Sequence, residues 1–148
     1  MVAVSDQLVW EIVKNNNSFM KKVNGRSKRS GMMRFSVEKG NLRNISSYKF
    51  SGIANSKSVD VTCTPANTAI LTTKTASKAA TQPKKGSVDI PINKNFKRVT
   101  KTIESQIADN YYRPDLKNAA LAKYSKVYQA NRIAKGIKKA VPVKKGRA

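Results

Sequence analysis

Hydrophobic and polar positions change period several times along this chain. Leu8, Val9, Ile12 and Val13 recur at helical spacing behind Ser5 and Asp6, either of which can cap a first turn. A short N-terminal helix follows from that pattern. The run Asn15-Asn16-Asn17 ends it, because these side chains compete for the backbone. Period two then takes over. Phe19–Val23 reads as a strand, and Met33, Phe35 and Val37 alternate with Arg34, Ser36 and Glu38 before a Lys39-Gly40-Asn41 turn. Tyr48 and Phe50 alternate again ahead of Gly52. Val59, Val61 and Cys63 face one way, with Asp60, Thr62 and Thr64 opposite, and Pro65-Ala66-Asn67 turns the chain into a hairpin partner over Thr68–Thr75.

Beyond residue 75 the period lengthens. Thr75 to Ser87 is a low-complexity stretch of Lys, Ala, Thr and Pro, read as a basic loop or linker. A short strand over Val88–Ile92 precedes a stripe of Phe96, Val99, Ile103 and Ile107, which predicts a helix with Lys94, Lys97, Arg98 and Lys101 mostly off its apolar face. Asn110 and Pro114 end that helix. A last one opens with Pro114 in its first turn, buries Leu116, Ala120, Tyr124, Val127 and Tyr128, and stops at Gly136. The fold class expected is α+β: a small, mostly antiparallel sheet with an N-terminal helix, then two C-terminal helices and a basic tail. Residues 1–135 form one body (sheet-rich 1–75, linker 76–87, helical 88–135), and 136–148 are the tail.

Charge changes the picture most. The 148 residues carry 30 Lys and Arg against 8 Asp and Glu, a formal net charge of +22. Residues 1–75 hold 12 basic and 4 acidic groups, and residues 76–148 hold 18 and 4, so the second half dominates. Such an excess opposes compactness and favours a polyanion. Each phosphate neutralised by Lys or Arg releases condensed counterions, so many contacts add up to salt-sensitive affinity.

The same composition excludes much. With no His there is no His-based general base, and one Cys allows neither an internal disulfide nor a cysteine metal cluster. Glu104 and Asp109 do not converge as an acid/base pair, so no catalytic residue, metal or cofactor is expected. The loop Gly25–Gly31 lacks the spacing of a P-loop. Neither a signal peptide nor a membrane span is read from the pattern, and an intracellular protein without a small-molecule substrate is expected.

Candidate nucleic-acid-binding residues, for RNA or DNA, follow from where the cations cluster. They are Arg26, Lys28 and Arg29 in the first basic loop, and Lys84 and Lys85 in the second. Asn93, Lys94 and Asn95 stand at a helix start, where free N–H groups favour phosphate. Lys97, Arg98 and Lys101 lie on the following helix, and Arg113 and Lys117 at the inter-helix junction. Arg132, Lys135, Lys138, Lys139, Lys144, Lys145 and Arg147 complete a C-terminal run of seven basic residues and no acid, expected to order only on RNA. Trp10, Phe19, Phe35, Phe50 and Phe96 read as core, and Cys63 as a buried small side chain. Tyr111 and Tyr112 beside Arg113 are the best base-stacking candidates, with packing in the inter-helix corner as the alternative.

Several segments carry a resemblance. Tyr112-Arg113-Pro114-Asp115-Leu116 is the most specific, joined by Ile92-Asn93-Lys94-Asn95, Ala119-Ala120-Leu121, the opening Leu8, Trp10, Asn15 and Ser18-Phe19, and Asn41-Leu42 through Tyr48 to Gly52. Together, from residue 8 to about 128, they resemble the eukaryotic family of large-subunit ribosomal protein twenty-eight. The related Mak-sixteen assembly factors share the N-terminal signature but carry several cysteines and acidic extensions. The resemblance implies an α+β, non-catalytic component of the cytosolic large subunit, assembled in the nucleolus, that contacts ribosomal RNA and neighbouring ribosomal proteins. Contacts would go mostly to phosphates and 2′-hydroxyls, because A-form RNA hides its base edges. An assembly factor for pre-ribosomal RNA and a chromatin-type DNA binder stand as alternatives.

Overall fold

A computed structural model describes residues 4–23, 29, 31–79, 81, 82 and 85–139. The element order is α1 (Asp6–Val13), β1 (Met20–Val23), β2 (Met33–Ser36), β3 (Val59–Cys63), β4 (Ala69–Lys74), α2 (Ala76–Ala79), β5 (Ser87–Pro91), α3 (Phe96–Glu104) and α4 (Lys117–Ala134). The α+β class holds, with its strands divided between two antiparallel sheets instead of one. β1 pairs with β2, Met20 opposite Ser36 and Val23 opposite Met33. The second sheet has the order β3-β4-β5, so a strand of the helical half completes the sheet of the first half.

The three-stranded sheet supplies the floor of the core. Val59 and Val61 of β3 and Ala69 and Leu71 of β4 are buried, and Val99, Ile103, Ile107, Leu116, Ala120 and Tyr124 of the helical half close over them. Burying a side chain of this size contributes roughly 1.5–3 kcal/mol, so this layer dominates stability. Phe96 stacks on Tyr124 with centroids 5.3 Å apart, which fixes the start of α3 against the middle of α4. Pro91 sits at the end of edge strand β5, where its missing N–H is tolerated.

Several expectations change. Tyr48–Phe50 forms a 3₁₀ turn, not a strand. There Asn55 donates to the carbonyls of Tyr48 and Ser51, both at 2.7 Å, giving the backbone local partners in place of a ladder. The stretch read as a basic loop or linker is a loop, the connection between paired strands β4 and β5. It contains the single turn α2 and is closed by Thr75 N–H donating to Gly86 at 2.7 Å.

Helix α1 buries none of its residues. Its stripe divides, with Val9 and Val13 half-buried while Leu8 and Ile12 stay exposed. The helix is held through Asp6, which accepts from Ser56 N–H at 2.9 Å, and through Trp10 against Tyr48. Phe19 and Val37 are exposed rather than core, because the β1–β2 ribbon stands outside the main layer. Cys63 is exposed too. It ends β3 and donates to the buried Asn131 at 2.8 Å.

At the far end, the π turn Ser105–Asp109 continues α3 and keeps Ile107 on the buried stripe. A 3₁₀ turn, Pro114–Leu116, precedes α4. Helix α4 runs to Ala134, so Arg132 belongs to a packed element and not to the tail. Gly136, at φ +72°, stops it as expected: its N–H donates to Ile133 at 2.9 Å and that of Ile137 to Arg132 at 3.0 Å.

Candidate nucleic-acid interface

The β5–α3 junction and the end of α4 meet at one groove. Ile92 is buried and pins the junction, which leaves Asn93 and Lys94 exposed beside it. Asn95 caps α3 by accepting from Lys97 N–H at 3.3 Å, so its side-chain oxygen is spent on the helix. The groove has a volume of about 420 Å³ and is walled by Asn67, Asn93, Lys94, Tyr128, Arg132 and Lys135. A smaller cleft of about 240 Å³ shares Tyr128 and Arg132 with it and adds Lys138.

Each wall is held from within. The Arg132 guanidinium lies 5.9 Å from the Tyr128 ring centroid, a geometry that steadies the cation and leaves its outer N–H donors available. Asn131 is buried and ties α4 to β3 through Cys63. Amides, cations and an aromatic face in a concave site suit phosphate and ribose better than an apolar ligand.

The remaining candidates fall into three groups. Lys97, Arg98 and Lys101 are exposed on the outer side of α3, and Arg29, Lys85 and Lys139 are exposed elsewhere. Arg113 and Lys117 are engaged internally. Arg113 holds both carboxylate oxygens of Asp115 at 2.8 and 2.9 Å and donates to the carbonyls of Lys57 and Lys49, each at 2.9 Å. The bond from Arg113 holds the Asp115 carboxyl below its ordinary pKa, and the same bond raises that of Arg113. Lys117 faces Glu104 at 3.4 Å. Arg26, Lys28, Lys84, Lys144, Lys145 and Arg147 lie outside the described residues.

The two tyrosines separate. Tyr112 Oη accepts from Lys74 N–H at 3.0 Å and faces the carbonyls of Ser58 and Lys74, and burial raises its pKa. Tyr111 is 85 % exposed. The ammonium of Lys74 donates to Gly52 and Asn55 at 3.0 and 2.8 Å, and burial lowers its pKa.

A second basic surface escapes the sequence pattern. Arg43, Lys49 and Lys126 border an open groove of about 860 Å³ between the segment after β2 and the outer face of α4. Arg43 and Lys49 both lie near the Phe50 ring, at 5.6 and 5.8 Å. Of the three cations, Lys126 alone carries a periodic signal, its place off the α4 stripe. Among the described residues no group of His, Cys, Asp and Glu could hold a metal ion, and no helix is long and apolar enough to cross a membrane.

The model of the Ribosomal L28e protein family matches residues 8–130. The chain is similar to large ribosomal subunit protein eL28 of Dictyostelium discoideum, with 36 % identity over 89 % of this chain and 92 % of the relative. It is similar also to the protein of that name from Schizosaccharomyces pombe, with 29 % identity over 92 % of this chain and 99 % of the relative. The match covers most of both chains and leads to one conclusion: the chain belongs to the Ribosomal L28e protein family, a family of ribosomal proteins and not of enzymes.

Proposed function

We propose that this protein is a structural component of the cytosolic large ribosomal subunit, assembled in the nucleolus, that pins segments of ribosomal RNA through phosphate and 2′-hydroxyl contacts. One observation carries the RNA contact: Asn93 and Lys94 converge with Arg132 and Lys135 on a single groove, although they come from elements nearly forty residues apart. The relatives named for the large subunit support the setting. In this reading the exposed cations of α3 add contacts of the same kind, and neighbouring ribosomal proteins share the site.

Combined substitution of Lys94, Arg132 and Lys135 by Ala tests the groove. Removing a cation that neutralises one phosphate lowers the slope of log affinity against log salt by about 0.7–0.9. The triple variant is therefore expected to bind RNA more weakly and with a slope shallower by about 2–3. An unchanged slope in a folded variant would place the RNA contact elsewhere. Sucrose-gradient fractionation tests the setting: about one copy per mature large subunit after a high-salt wash is expected. Recovery only in nuclear precursor particles would make it an assembly factor instead.

A further inference from the structure

Tyr111 occupies a position that is costly on two counts. Its ring is 85 % exposed, and its backbone sits at φ +50°, a left-handed conformation that Gly or Asn adopts more readily. A bulky residue there costs on the order of 1–3 kcal/mol and persists only where its surroundings impose it. They do: Tyr111 N–H donates to Ala108 at 2.9 Å and Arg113 N–H to Ile107 at 3.1 Å, closing the turn that follows the π turn. The next two side chains are anchored, Tyr112 on Ser58 and Lys74, and Arg113 on Asp115, Lys49 and Lys57. The backbone beneath the Tyr111 ring is therefore rigid, and the ring itself is free.

The corner is also cationic. Arg113 draws the Lys49 and Lys57 backbones to it, both residues are exposed, and the Lys57 ammonium lies 5.6 Å over the Tyr112 ring. A rigidly presented aromatic face on a corner that carries exposed cations matches what an unpaired nucleotide needs: a π surface for the base and a cation for its phosphate.

We propose that Tyr111 is a stacking platform for an unpaired base of RNA, with Lys49 and Lys57 receiving the adjoining phosphates. This rests on the RNA-binding reading above and adds to it a second contact, specific for unpaired RNA. Fluorescence anisotropy with a labelled adenosine dodecamer and with a blunt RNA duplex of equal phosphate number tests it in the full chain. Tyr111→Ala is expected to lose about 5- to 150-fold on the single strand, the range of one base stack, and little on the duplex, with the salt slope unchanged because no charge is removed. Tyr111→Phe retains wild-type affinity. Tyr111→Gly is the decisive control: it relieves the left-handed strain, so its thermal midpoint rises while its affinity for the single strand falls as in Tyr111→Ala. Equal losses on strand and duplex, or none, would overturn the stacking role and leave the groove reading intact. Wild-type protein that bound neither probe would overturn both.

Discussion

At the scale of single residues, two glycines show how differently the same side-chain omission can act. A Cβ on Gly52 would lie 2.0 Å from the Lys39 carbonyl oxygen and 2.9 Å from the Gly40 Cα. Both are backbone atoms, so nothing flexible can yield. Gly136 has open space around it and only its φ of +72° to defend. Gly52→Ala is therefore expected to cost about 3 kcal/mol or more, and Gly136→Ala about 1 kcal/mol. Urea denaturation midpoints separate the two, and equal losses would show that the Gly40–Gly52 contact relaxes. Gly52 matters beyond itself, because its carbonyl also receives the Lys74 ammonium. The buried carboxylate of Glu38 accepts from Asn41, Ser51 and Ile53 in the same neighbourhood, at 3.1–3.3 Å. Packed backbone and a satisfied polar network together hold the segment that receives α1.

At the scale of elements, the Arg113–Asp115 pair joins the turn before α4 to the segments on either side of Gly52. The folded pKa of Asp115 lies below its unfolded value, so the pair's stabilisation is fully present above the ordinary carboxylate pKa of about 4 and is lost as pH falls through the depressed folded value. The Asp115 side chain retains 41 % exposure, so solvent screening keeps the effect under about 1 kcal/mol. Asp115→Asn is expected to destabilise the protein at pH 7, with the difference from wild type shrinking as pH falls below the ordinary carboxylate range. A difference independent of pH would mean that the ion pair contributes nothing.

The same junction shows what was legible in sequence. Periodicity found both C-terminal helices and their buried stripes, because Val99, Ile103, Ala120 and Tyr124 face one packed layer. It misjudged Tyr48–Phe50, where alternation was accidental and side-chain bonds to carbonyls decided the backbone. Charge clustering singled out Lys94, Arg132 and Lys135, which the fold brings to one groove, yet composition has no signal for which guanidinium turns inward; Arg113 does so because two distant carbonyls await it. Lys49 lies in the 3₁₀ turn and Lys57 in the segment before β3, and only the fold brings both to Arg113.

At the scale of the whole molecule, the acidic side chains are too few and too occupied to balance the cations. Glu11, Glu104, Asp60 and Asp115 form ion pairs, and Glu38 is buried in its own network. The formal charge of +22 therefore acts as repulsion across a small body. Screening lengths fall from about 30 Å at 10 mM salt to about 8 Å at 150 mM, a change that weakens repulsion between distant cations more than it weakens ion pairs in contact. Adding salt over that range should raise the urea midpoint of the free protein and lower its affinity for RNA, two opposite trends from one charge excess. Bound RNA replaces salt as the neutralising partner, so the complex should be more stable than the free chain and much less responsive to added salt at saturating RNA. A free-protein midpoint that fell with salt would mean that short-range ion pairs outweigh the repulsion. The charge would then be set for RNA contact at no cost to folding.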